Sequence, residues 1–159
     1  MKQVSRRISS ALLVLVIAVP GVVNALCTDQ TTWTSGYQVP FETELAASIA
    51  IVVGEVVAEH KVFETPEDPE AYSVIYTVRS GQVLMGNPLK VFKLREELDS
   101  GRYGMARGET HLLFITKWRW KVRGADYVID PCGNSKRLPE GDEVLARVKK
   151  ALAKKARAP

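Results

Sequence analysis

Two cysteines, Cys27 and Cys132, bracket nearly all of the chain that has the composition to fold. Ahead of Cys27, Lys2, Arg6 and Arg7 precede the apolar run Ala11 to Val19, Pro20 and Gly21 break that run, and Val23-Asn24-Ala25 offers a cleavage position. This is the pattern of an export signal over residues 1–25, with a mature chain starting at Leu26. Export delivers a chain to an oxidising compartment, secreted or periplasmic, where a lone cysteine pair reads as a disulfide rather than a redox or metal site. A Cys27–Cys132 bridge would tie both ends of one domain together. By the chain-entropy argument, closing so long a loop contributes about 4 to 5 kcal/mol, and measured bridges more often give about 2 to 4. The apolar run is shorter than the about 20 residues of a membrane span. An uncleaved anchor is the alternative, and no later segment is long enough to span.

Residues 26–153 make one domain, large enough to bury roughly two thirds of its unfolded-chain surface. The 22 Lys and Arg against 18 Asp and Glu give a misleading picture of charge, because three of the cations belong to the signal. From Arg147 onward there are six cations (Arg147, Lys149, Lys150, Lys154, Lys155, Arg157) and no acid, so residues 26–146 hold 13 cations against all 18 acids. An acidic body carries a basic end, and residues 154–159 form a basic tail expected to be disordered. Such a tail attracts nucleic acid, anionic lipid or cell-wall polyanion, or simply suits the negative carboxyl end of a helix.

Leu26 to Val39 shows no period and reads as an extended lead-in containing Trp33 and Tyr37. Pro40, Phe41, Leu45, Ala46 and Ile49 predict a short helix opened by proline. A first strand follows over Ile49 to Phe63, with Gly54 in mid-run marking a bulge or bend. The acidic turn Glu64 to Glu70 leads to a second strand, Ala71 to Leu84, in which Tyr72, Val74, Tyr76 and Val78 alternate with Ser73, Ile75, Thr77 and Arg79. A third strand is expected over Leu89 to Leu94 and a polar surface excursion over Arg95 to Arg107. The fourth strand is read over Thr110 to Trp120 and a fifth over Tyr127 to Pro131, after a turn at Arg123 to Asp126. Val144, Leu145, Val148 and Leu152 then form an apolar stripe on a helix over Gly141 to Ala153, with Asp142 as its cap. The fold class is mainly β: a five-stranded Greek-key barrel of the oligonucleotide/oligosaccharide-binding (OB-fold) kind, with a short helix before the first strand and an amphipathic helix at the end.

Three stretches carry a resemblance. Ile49-Ala50-Ile51-Val52-Val53-Gly54-Glu55-Val56, Gly108-Glu109-Thr110-His111-Leu112-Leu113-Phe114 and Asp130-Pro131-Cys132-Gly133-Asn134-Ser135 resemble bacterial members of the tissue-inhibitor-of-metalloproteinases-like, or netrin-like, family. The resemblance implies the barrel and a carboxyl-terminal cysteine paired toward the amino terminus. It also implies a protein partner, with a metalloprotease as one case, met through a segment that includes Cys27 and Trp33. In the animal inhibitors a mature amino-terminal cysteine binds the protease zinc. Here Leu26 precedes Cys27 and the neighbouring Thr28-Asp29 lacks the family's Cys-x-Cys. Lipid attachment at Cys27 is the other use of a cysteine just after a signal, although Leu26 and Asn24 depart from the lipoprotein pattern.

Chemistry-bearing patterns are sparse. His60 and His111 stand in no metal-ligand spacing, and none of the nine serines sits in a Gly-x-Ser-x-Gly elbow. Glu96-Glu97 and the loop acids Glu64, Glu67, Asp68 and Glu70 lack the spacing of a calcium loop. No cofactor, metal or enzymatic activity is expected. The most distinctive stretch is Lys117-Trp118-Arg119-Trp120-Lys121-Val122-Arg123, which on a strand sets a cationic ladder against an aromatic one. Trp118, Arg119, Trp120, Lys121 and Arg123 are therefore candidates for binding a polyanion or glycan, or ordinary two-faced strand packing. The sequence reading is an exported, non-catalytic binding module. Its alternative is a barrel that takes a polyanion or glycan on Lys117 to Arg123 with help from the basic tail.

Overall fold

Residues 27–29, 31–32, 35–98, 103–117 and 124–157 are described by a computed structural model. The elements run α1 (Phe41–Ala47), β1 (Ala50–Val62), β2 (Ser73–Met85), β3 (Val91–Glu97), β4 (Thr110–Ile115), β5 (Lys136–Arg137) and α2 (Asp142–Lys155). The five strands form one open antiparallel sheet in the order β3-β2-β1-β4-β5. Past the sheet edge, Leu94 makes a parallel bridge to Tyr127, while Val128 bridges Thr116 just after β4.

β1 lies at the centre, paired with β2 along its length and with β4 over Ala50 to Glu55. Its register against β2 shifts between Val53 and Gly54, which is the bend expected at that glycine. A Cβ at Gly54 would stand 2.7 Å from Val78 Cγ1 and 3.2 Å from the Arg79 carbonyl oxygen, so the close approach of the two strands there excludes a side chain.

The period-two alternation of a strand sends successive side chains to opposite faces, and both faces of the sheet are covered. Ala50, Val52 and Val56 join Val74, Tyr76, Val78, Phe92, Leu94, Leu113 and Ile115 in one cluster. Ile51, Leu112 and Phe114 point the other way and meet Phe41 of α1 and Val148 of α2. This is why β4 reads as an unbroken apolar run: it is buried on both sides. In β2 the alternation holds for Val74, Tyr76 and Val78, but Tyr72 is exposed and Ser73 is buried, because pairing begins only at Ser73. Among the described residues no helix is long and apolar enough to cross a membrane.

Three expectations need correction, the first being the surface excursion from Arg95: β3 runs on through Glu97, and Met105 of the excursion is buried in the core. The predicted fifth strand over Tyr127 to Pro131 is present only as the bridges at Tyr127 and Val128; β5 instead falls on Lys136–Arg137, paired with His111 and Leu112. Both residues of β5 are exposed and polar, so its pairing comes from the free edge of β4 rather than from any apolar pattern of its own. Asp142 opens α2 as its first helical residue, with Gly141 in the cap position and no side-chain cap bond.

Phe114 is fully buried and packs edge-on against Phe41, with ring centroids 6.1 Å apart. Phe114→Ala is expected to cost about 3 to 5 kcal/mol in urea unfolding, by the loss of buried area and the cavity left behind. Val91→Ala, at a position 52% exposed on the edge strand, should change stability by less than about 0.5 kcal/mol. Equal effects would contradict the two-faced core.

Candidate functional site

The amino-terminal lead-in is fixed to the body at several points. Cys27 and Cys132 are joined, Sγ to Sγ 2.06 Å, across a sequence separation of 105. The Tyr37 N–H donates to the Cys27 carbonyl (3.0 Å) and the Val39 N–H to the Cys132 carbonyl (2.9 Å). Gln38 Nε2 donates to the Gly133 carbonyl at 3.3 Å. Closer to the cysteine, Thr28 bridges Ser35, and Asp29 Oδ1 accepts the Thr31 N–H at 2.7 Å and the Thr32 N–H at 3.3 Å. Those backbone bonds, Thr31 first, outweigh slight burial and hold the Asp29 carboxyl below its ordinary range. Although pinned, Ser35 to Gln38 remain exposed, Tyr37 by 38%.

Beneath this strap lies a buried polar knot. Glu44, on α1 and only 3% exposed, accepts the Asn134 N–H and Asn134 Nδ2 (2.7 Å) on one carboxylate oxygen. Asn134 Nδ2 also donates to the Val39 carbonyl at 2.9 Å. The other oxygen, Oε1, has no hydrogen-bond partner among the described residues. Burial, only partly opposed by the Asn134 bonds, raises the Glu44 pKa. Gly133 lies so close to this carboxylate that a Cβ there would collide with it. Glu44 lies in the first turn of α1, and its role depends on a partner 90 residues away.

A second polar chain crosses the other end of β4. Tyr103 O–H meets His111 Nδ1 at 2.9 Å, and His111 Nε2 meets Glu109 Oε2 at 3.1 Å. Glu109 Oε1 then accepts Arg137 Nη1 at 2.9 Å, and Arg137 pairs onward with Glu140. One imidazole tautomer, with its proton on Nε2, satisfies both neighbours. His111 is 1% exposed, so the relay runs from the interior at His111 to the exposed Arg137 and couples the 103–109 loop to β4 and β5. Burial raises the Glu109 pKa, but the bonds from Arg137, the Ala106 N–H and His111 together more than reverse this and leave it low.

The remaining candidates are placed as follows. Lys117 is exposed just past β4, whereas Trp118, Arg119, Trp120, Lys121 and Arg123, and likewise Trp33, lie outside the described residues. Cys27 is 7% exposed and engaged in its bridge. His60 is on the exposed part of β1. The Glu96-Glu97 pair is split by the strand: Glu96 turns inward to accept the Tyr103 and Gly104 N–H groups, and Glu97 pairs with Arg95 at 2.8 Å. In the acidic loop, Asp68 Oδ2 accepts the Thr65 N–H and closes a turn. Among the described residues no group of three or more His, Cys, Asp or Glu is arranged to hold a metal ion. No family model matches the chain, and a search of curated proteins finds no match either.

Burial lowers the His111 pKa, and the hydrogen bond and charge of Glu109 oppose this only in part. The unfolded chain therefore binds a proton at His111 more readily than the folded one. The stabilisation is complete above the unfolded value of 6.5 and is lost as pH falls through the lowered folded value. Urea unfolding should show lower stability at about pH 5.5 than at about pH 7.5, and His111→Phe should flatten that difference. A slope unchanged by the substitution would remove His111 as its source.

Proposed function

We propose that this chain is an exported, non-catalytic binding module that presents the segment Ser35 to Pro40 to a protein partner. The observation that carries the reading is the combination of exposure and anchorage in that segment. Ser35 to Gln38 are exposed, while the Tyr37 and Val39 N–H groups are bonded to the Cys27 and Cys132 carbonyls and the Gln38 side chain to the Gly133 carbonyl. A segment already ordered before association avoids part of the entropy cost of binding, which favours its use as a recognition edge. Inhibition of a metalloprotease is the narrower form of the same reading, with the exposed Ser35 to Gln38 next to the bridge as the contacting segment.

The finer architecture belongs to this proposal. A Greek-key OB-like barrel of the netrin-like kind is supported by the parallel Leu94–Tyr127 bridge and the antiparallel Thr116–Val128 bridge, which run from the β3 edge toward β4. The Lys93 carbonyl accepts the Asp126 and Tyr127 N–H groups at 2.9 and 3.1 Å, and Asp126 Oδ2 accepts the Lys93 N–H at 2.8 Å. A polyanion- or glycan-binding surface is the second reading, favoured by the exposure of Lys117 and of the cations along α2.

A photo-crosslinking side chain at Tyr37, with a control at Lys61 on β1, tests the reading in the cell envelope. Position 37 should capture one discrete protein, position 61 should not, and Cys27→Ser/Cys132→Ser should abolish the capture. Equal labelling from both positions, or capture that survives loss of the bridge, would contradict it.

A further inference from the structure

α2 carries Arg147, Lys150 and Lys154 at spacings of three and four residues, and Arg157 follows in the turn just past its end. On a helix these spacings keep the three on one side, along a line about 10 Å long. They line two adjoining grooves that share Lys150 and Lys154. The first, of about 570 Å3, lies between α1 and α2 and has Phe41, Leu45 and Ala151 in its wall together with Lys155. The Arg147 guanidinium lies over the Phe41 ring, 3.9 Å from its centroid, and 3.8 Å from Glu42, the acid on the groove.

From these observations we infer that the α1–α2 face docks on the surface of an anionic phospholipid bilayer. Headgroup phosphates meet the line of cations, and the glycerol and upper acyl carbons meet the half-buried Leu45 and Ala151. Charge complementarity selects this occupant in two ways. All 18 acids lie before Arg147 in the sequence, so from Arg147 onward the chain carries cations alone. An anionic plane therefore repels the body, attracts the α2 end and orients the molecule. Lysine and arginine stems beside an apolar strip are also what an interfacial helix uses, with stems against the hydrocarbon and charges among the headgroups. A soluble polyanion has nothing to place against the apolar wall. An acidic peptide would find no unpaired strand edge between two helices.

The test is co-sedimentation of the exported chain with vesicles made of equal parts phosphatidylglycerol and phosphatidylcholine, beside vesicles of phosphatidylcholine alone. The expected result is partition onto the anionic vesicles only, weakening between about 50 mM and about 300 mM salt. Lys150→Glu/Lys154→Glu should reduce that partition by at least about 20-fold with an unchanged thermal melt, because both side chains are exposed. Absence of partition at low salt would overturn the inference. So would partition that the double substitution leaves intact, which would put the contact elsewhere. Inorganic polyphosphate or polyglutamate binding tighter than the vesicles, and lost in the same variant, would overturn it in favour of a polyanion or an acidic peptide.

Discussion

From Asp130 to Ser135 the chain joins parts of the fold that are distant in sequence. Asp130 closes the turn on the Cys132 and Gly133 N–H groups. Cys132 holds Cys27, Gly133 leaves room for the Glu44 carboxylate, and Asn134 binds that carboxylate and the Val39 carbonyl. Ser135 Oγ then accepts the Phe114 N–H at 3.0 Å in the buried β4. Within a few residues the lead-in, the first helix and the central sheet are set relative to one another. A buried carboxylate tolerates such a site only when it is hydrogen-bonded, which explains why Gly-Asn follows the cysteine so directly.

β4 is where the pieces meet. Its apolar residues alternate between the two clusters. At its start, Glu109 and His111 connect it through Tyr103 and Arg137 to the preceding loop and to β5. The motif Gly108 to Phe114 is thereby accounted for structurally. The Gly108 N–H reaches the Val56 carbonyl and the Val56 N–H reaches the Glu109 carbonyl, so loop and first strand are laced together next to the relay. Outside these two polar assemblies, Ser35 to Gln38 and the cations of α2 are exposed.

Much of this architecture was legible in the sequence because it follows from short-range pattern. The bounds of β1 agree with its apolar run to within a residue at each end, the bend falls at Gly54, and the apolar stripe of α2 faces the sheet. The Cys27–Cys132 bridge agrees with the pairing expected of a lone cysteine pair behind a stretch with the pattern of an export signal. What escaped depends on partners far along the chain. Lys136–Arg137 has no strand character and is recruited by an unpaired edge. Glu44, Tyr103 and Asn134 look like surface residues until the fold brings acceptor and donor together. Asp142 has the identity of a cap, but Gly141 occupies the cap position.

If the Cys27–Cys132 bridge holds the exposed segment Ser35 to Gln38 in a fixed conformation, the amides that anchor that segment must depend on the bridge. Hydrogen exchange at the Tyr37 and Val39 amides, measured by NMR before and after selective reduction of Cys27–Cys132, tests it most directly. Both amides donate to cysteine carbonyls, so they should be protected in the oxidised protein and lose protection on reduction, while amides of β1 and β4 keep theirs. Free exchange at Tyr37 and Val39 in the oxidised protein would show that the segment is not held, and the account would fail.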